Sequence, residues 1–141
     1  MKVIFYKAWV AGNIQDKFVS IWTLGPYSHC ELLFSDGTAF SSSWRDGGTR
    51  FKKINIIPER WDMVDIETDK EEEIKTWCET QLGKEYDWRG VFSIVIPFIL
   101  QDGNKWYCSE ICIHALRRSG IVNYLNYNSP NSFYRLLVKD F

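Results

Sequence analysis

Only two histidines occur in this chain, His29 and His114, so any chemistry that needs an imidazole must use one of them. Long apolar runs are equally scarce. The longest, Val91 to Leu100, is broken by Ser93 and Pro97. It is too short to cross about 30 Å of hydrocarbon, so no transmembrane segment is expected. It reads instead as a buried segment or as an apolar flap beside a site. No Lys/Arg-rich run is present and the net charge is −1, which removes the electrostatic case for nucleic acid. Repeats, low-complexity tracts and linkers are absent too, and residues 1–141 read as one domain. Met1 to Tyr6 reads as a strand rather than as a secretory signal. The four cysteines (Cys30, Cys78, Cys108 and Cys112) are therefore expected as reduced thiols in a cytoplasmic compartment.

Aromatics are abundant, at 16% of residues with seven tryptophans. That share points to a dense aromatic core or to a pocket lined with rings. The remaining composition, 45% hydrophobic and 25% charged, is that of an ordinary globular domain.

The alternation of apolar residues predicts strands over 2–6, 28–34, 38–44, 49–57, 61–66 and 134–138. Helical spacing predicts helices over about 14–23, from Thr68 or Asp69 to about Leu82, and from Cys108 to about Ser119. Ile74, Trp77, Cys78 and Leu82 form the expected buried stripe of the second helix. The fold class is thus α+β, an antiparallel sheet packed against helices. Asp36-Gly37 reads as a two-residue hairpin turn. In that register His29, Glu31, Leu33, Phe40, Ser42 and Trp44 share one face, while Cys30, Leu32 and Phe34 take the other. A one-residue slip would exchange the faces of the return strand, which leaves Ser42 less secure than Glu31.

The stretch Trp106-Tyr107-Cys108-Ser109-Glu110 carries the chemistry. A thiol at a helix N-terminus faces unpaired N–H groups and the positive end of the macrodipole. Such a position lowers a cysteine pKa from about 8.5 toward roughly 3.5–7.5. Three readings of the Cys/His set compete. Cys108 can be a nucleophile with His29 as base and a polar residue orienting the imidazole. Alternatively His29, Cys30, Cys108, Cys112 and His114 can hold a metal, although no CxxC or HxxxH spacing supports it. The third reading makes the thiols plain core residues.

Trp22-Thr23-Leu24-Gly25-Pro26-Tyr27-Ser28-His29-Cys30-Glu31-Leu32, followed by Gly83-Lys84-Glu85-Tyr86-Asp87 and then Trp106 to Glu110, resembles the circularly permuted NlpC/P60 papain-like family. That branch holds the YaeF/YiiX- and YycO-like proteins and is related in fold to lecithin:retinol acyltransferase. The compact form here is similar to phage and prophage members. In this branch the histidine strand precedes the nucleophile helix, as His29 precedes Cys108. The resemblance spans roughly residues 12–118 and implies a permuted papain-like fold.

It further implies Cys108 as nucleophile and His29 as general base. The family's third polar residue, often a glutamate on the next strand, is replaced here by Ser41, Ser42 and Ser43. Glu31, on the histidine's own face, is the preferred substitute and Ser42 the second. The implied reaction is acyl transfer through a thioester, with the backbone N–H groups of Cys108 and Ser109 holding the oxyanion. Trp22, Tyr27, Trp44 and Trp106 are the expected cleft walls, and Tyr86-Asp87 the approach to the helix. Implied substrates are peptides, peptidoglycan fragments or acyl lipids, with no cofactor and no metal. For a phage protein the location would be the host cytoplasm. Oligomeric state is not legible. The competing reading is a catalytically idle module that binds a host protein or an acylated ligand.

Overall fold

Val3, Ile4 and Phe5 are fully buried in succession, as befits a strand flanked on both edges and covered on both faces. They belong to β1 (Lys2–Lys7), in a five-stranded antiparallel sheet of order β4-β3-β2-β1-β5. The partners are β2 (Tyr27–Leu33), β3 (Thr38–Ser43), β4 (Gly48–Lys53) and β5 (Trp61–Asp65). Helices α1 (Ala8–Ala11), α2 (Ile14–Trp22), α3 (Glu71–Thr80), α4 (Trp88–Ser93), α5 (Cys108–Arg118) and α6 (Pro130–Asp140) complete the chain. This computed structural model describes residues 1–11, 14–22, 25–94, 96, 103–123 and 129–141. The side chains of residues 11, 15, 18, 19 and 22 fall outside that description. Half of the apolar run, at 95 and 97–100, lies outside it as well. No described helix is long and apolar enough to cross a membrane.

Alternation gives the sheet two unlike faces. Val3, Phe5, Cys30, Leu32, Phe34, Phe40 and Val64 point into one core with Ile74 of α3, Ile111 and Leu116 of α5, and Phe133 and Leu137 of α6. The opposite face carries Tyr6, His29, Glu31, Arg50, Lys52 and Trp61. These residues line a cavity of about 200 Å³.

The hairpin differs from expectation by one residue. Leu32 pairs with Phe40 and Leu33 with Ala39, and Phe34 N–H donates to Thr38 O at 2.9 Å. The loop is therefore Ser35-Asp36-Gly37, with Gly37 left-handed at φ 82°. Asp36 Oδ1 accepts from Thr38 N–H at 2.9 Å and so fixes the longer turn. The slip turns Phe40 into the core and moves Ser42 off the His29 face.

The expected last strand, 134–138, is helical. Ser129 Oγ accepts from Ser132 N–H at 3.2 Å, and Pro130 occupies the first turn. This is an N-cap followed by the residue best suited to N1. Phe133 and Leu137, four apart, are buried by it. Two smaller expectations also fail. β4 ends at Lys53 rather than Ile57, and Leu82 lies beyond α3 and is 49% exposed.

Asn131 of α6 ties this helix to the start of β2. Its Oδ1 accepts from Tyr27 N–H at 2.9 Å and its Nδ2 donates to Tyr27 O at 2.8 Å. The amide thus acts as a strand partner where the β1–β2 register shifts between Tyr6 and Lys7. Gly25 leaves the room, since a Cβ there would sit 2.3 Å from Asn131 Oδ1.

Candidate active site

Cys108 is the first residue of α5, and α5 packs on β2 and β3. His29 lies on the face of β2 opposite α3, α5 and α6. The two meet because β2 and β3 pair, among the described residues, only through Leu32–Phe40 and Leu33–Ala39. Toward the Tyr27 end the strands part, and side chains replace the ladder. Ser41 Oγ donates to Cys30 O at 2.7 Å and Ser42 Oγ donates to Trp106 O at 2.6 Å. The N-terminus of α5 fits this opening, so its sulfur meets groups from both faces of β2.

Three features converge on that sulfur. The Cys30 side chain, the Cys30 backbone N–H and the His29 ring all act on Cys108 and favour its thiolate form. The Cys30 contact acts most strongly and burial opposes it. Together with His29 it holds the Cys108 thiol well below the ordinary cysteine range. His29 shifts the other way, to about 10. Burial disfavours its charge, but Cys108 and Glu31 outweigh burial. The stable form of the pair is therefore thiolate and imidazolium. Cys30 itself is pushed up by burial and stays a thiol, able to donate.

Glu31 holds the far side of the imidazole. His29 Nε2 is 3.1 Å from Glu31 Oε1, which leaves Nδ1 to serve the sulfur. Glu31 is only 2% exposed. An isolated carboxylate so placed would cost several kcal/mol of desolvation. Arg50 offsets that cost with a fork, donating NH1 to Oε2 at 2.7 Å and NH2 to Oε1 at 2.8 Å. Burial pushes the Glu31 carboxyl up, yet His29 and Arg50 hold it below the usual range.

The approach to α5 is built from 85–87. Trp106 N–H donates to Glu85 O at 3.2 Å and Asp87 N–H to Trp106 O at 3.0 Å. Tyr86 bridges Trp106, lines the cavity and has its hydroxyl pushed up by burial and next by Cys108. Glu110, on the first turn, reaches back to Tyr107 N–H at 3.4 Å. Burial pushes its carboxyl up to about 8.

Of the residues expected at the site, Cys108, His29 and Glu31 come together. Ser42 does not: its hydroxyl is committed to the Trp106 carbonyl, a consequence of the register slip. Trp44 begins a 3-10 turn instead of ending β3, yet it lines the cavity beside His29 and Glu31. Tyr27 is a core residue, packed on Phe5 and Tyr134 with its hydroxyl donating to Asp62 at 2.6 Å. Trp106 is also turned away, packed among Trp77, His114 and Lys84. The Trp22 side chain lies outside the described residues. Cys108 and Ser109 supply the first two N–H groups of α5, where no intrahelical acceptor is in reach. Among the described residues no set of three His, Cys, Asp or Glu side chains is disposed to hold a metal.

Two participants went unread in the sequence. Cys30 is a core thiol or a metal-set member in the readings above, and Arg50 falls in the strand expected over 49–57 with no role at the site. In the observed register Arg50 of β4 lies opposite Ser41 of β3, the strand between it and Glu31. The three-residue loop was the signal that would have exposed it. The chain matches no protein-family model, no curated protein and no solved structure.

Proposed function

We propose that the protein is a cysteine hydrolase, cleaving an amide or acyl bond through a thioester on Cys108. The reading rests on one observation. A thiol at the first residue of a helix interacts with a histidine whose Nε2 is held by a buried carboxylate. That is the arrangement covalent acyl transfer requires. It also fits the permuted papain-like order suggested by the resemblance to the NlpC/P60 branch.

In this mechanism the Cys108 thiolate attacks the substrate carbonyl carbon and a C–S bond forms. The oxyanion is met by the N–H groups at the start of α5. The His29 imidazolium gives its proton to the departing amine or alcohol, and the acyl group remains on sulfur. His29, now neutral, takes a proton from water as that water attacks the thioester. Carboxylic acid leaves and the thiolate–imidazolium pair is restored. Glu31 stays ionised throughout and keeps the ring turned. Trp44, Trp61 and Tyr6 line the cavity next to His29, a surface suited to a peptide, a peptidoglycan fragment or an acyl chain. The four unpaired cysteines suit a reducing, cytoplasmic setting.

The test is to incubate the protein with activated esters and N-acyl peptides and follow its intact mass. An acyl adduct mapped to Cys108, absent in Cys108→Ala and slow to form in His29→Ala, is the expected result. Hydrolysis that survives Cys108→Ala would overturn the reading.

A further inference from the structure

The Cys108–His29–Glu31 set does not stop at the carboxylate. Arg50 of β4 donates both terminal nitrogens to Glu31, and its Nε donates to Asp46 Oδ2 at 2.7 Å. Lys52 reaches Asp46 Oδ1 at 3.2 Å. The guanidinium is thus clamped between two carboxylates, with all three kinds of nitrogen engaged. Its side chain is 17% exposed and Glu31's 3%, so the fork is shielded from water. A bidentate Arg–carboxylate pair fixes direction as well as charge.

We propose that Arg50 is a positioning residue for the hydrolase. It holds Glu31 ionised and aimed at His29, and so sets how far into acid the Cys108 thiolate survives. The proposal rests on the nucleophile reading above and extends it to β4.

The other charges around Glu31 are accounted for. Asp46 faces it only through Arg50. Lys52 faces Asp46, and Arg45 of the 3-10 turn is paired with Asp16 of α2. Tyr6 of β1 and Tyr86 bring only phenol groups to the cavity, and burial pushes that of Tyr86 up. Arg50 is then, beside the His29 imidazolium, the second cation that keeps Glu31 charged when pH falls. Without it, burial raises the carboxyl and Glu31 takes up a proton at a higher pH. A protonated Glu31 no longer stabilises the imidazolium, and the thiolate it supports is lost with it. At neutral pH the removal acts the other way. Glu31 remains ionised, and the loss of a nearby positive charge favours the imidazolium. The signature is therefore a displaced acid limb rather than a uniformly slower reaction.

The test follows alkylation of Cys108 by iodoacetamide from about pH 4 to about pH 9, with Cys78 as internal reference. Wild type, Arg50→Gln, Arg50→Lys and Asp46→Asn are compared. Arg50→Gln is expected to raise the midpoint of the acid limb by about one pH unit. Arg50→Lys keeps the charge without the fork and leaves the midpoint near wild type while lowering the rate throughout. Asp46→Asn loosens the clamp and moves the midpoint in the same direction as Arg50→Gln, by less. It carries the test if Arg50→Gln does not fold by circular dichroism. A midpoint unmoved in every folded variant of Arg50 and Asp46 overturns the role of Arg50 and leaves the nucleophile reading intact. A wild-type Cys108 no faster than Cys78 at neutral pH overturns the nucleophile reading itself.

Discussion

The two faces of the sheet are stabilised by different physics. On the helix side, Phe5, Leu32, Phe40, Ile111, Phe133 and Leu137 are packed together with no charge among them. On the cavity side, buried Glu31 anchors a connected chain of titratable groups that reaches the surface, His29–Glu31–Arg50–Asp46. The apolar side tolerates small changes in proportion to the area lost, because the hydrophobic effect is non-directional. The polar side does not, because each member is the desolvation partner of the next. Two of the three helical cysteines, Cys78 and Cys108, make the same contrast. Burial pushes the Cys78 thiol up, whereas Cys108, equally enclosed, is held down by donors from β2. Burial alone makes a thiol inert. Donors aimed at it reverse the sign.

Single substitutions separate these regimes. Phe133→Ala, which empties a fully buried site on the apolar side, should cost about 3–5 kcal/mol in urea unfolding. The Cys108 alkylation profile should keep its acid midpoint in the folded fraction. A shifted midpoint there would mean that the two faces are not independent. Asn131→Ala removes two hydrogen bonds to Tyr27 and leaves a buried backbone pair short of partners. About 1–3 kcal/mol should be lost. Because Tyr27 begins the strand carrying His29, this change should also slow alkylation, whereas Phe133→Ala should not.

A pH-dependent effect concerns Glu110, whose carboxyl is raised in the folded state to about 8 from about 4.3 in the unfolded chain. A carboxyl raised on folding binds more protons in the native state. Stability therefore falls as pH rises from the unfolded value to the folded one. Glu110→Gln removes that loss. Its melting temperature should exceed wild type above pH 8, and the gain should shrink to nothing near pH 4. A gain that does not vary with pH would place the effect in packing rather than in charge.

The helix side was readable from the sequence and the cavity side only in part. Hydrophobic periodicity located β1, β2, β5, α3 and α5, because burial of a face writes itself at every second or every third to fourth residue. The start of α5 at Cys108 was legible for the same reason. What periodicity cannot give is register. Asp36-Gly37 suits a two-residue turn and equally the end of a three-residue loop, and the choice rests on one Asp36–Thr38 hydrogen bond. That single step moved Ser42 to the helix side and hid the Arg50–Ser41–Glu31 row. The apolar stretch 134–138 reads as a strand in the sequence. Its cap, Ser129-Pro130, was present in the sequence and outweighed propensity. Cys30 was legible as a buried thiol, but its contact with Cys108 follows from the parting of β2 and β3, which no local pattern announces.

The central claim is that donors from β2 turn a buried thiol into a thiolate at the start of α5. Parallel alkylation of Cys108 and Cys78 by iodoacetamide at pH 6–7, read by peptide mass mapping, tests it most directly. Cys108 should react faster by at least about tenfold, and His29→Ala should remove most of the difference. Equal rates at the two cysteines in the wild-type protein would contradict the account.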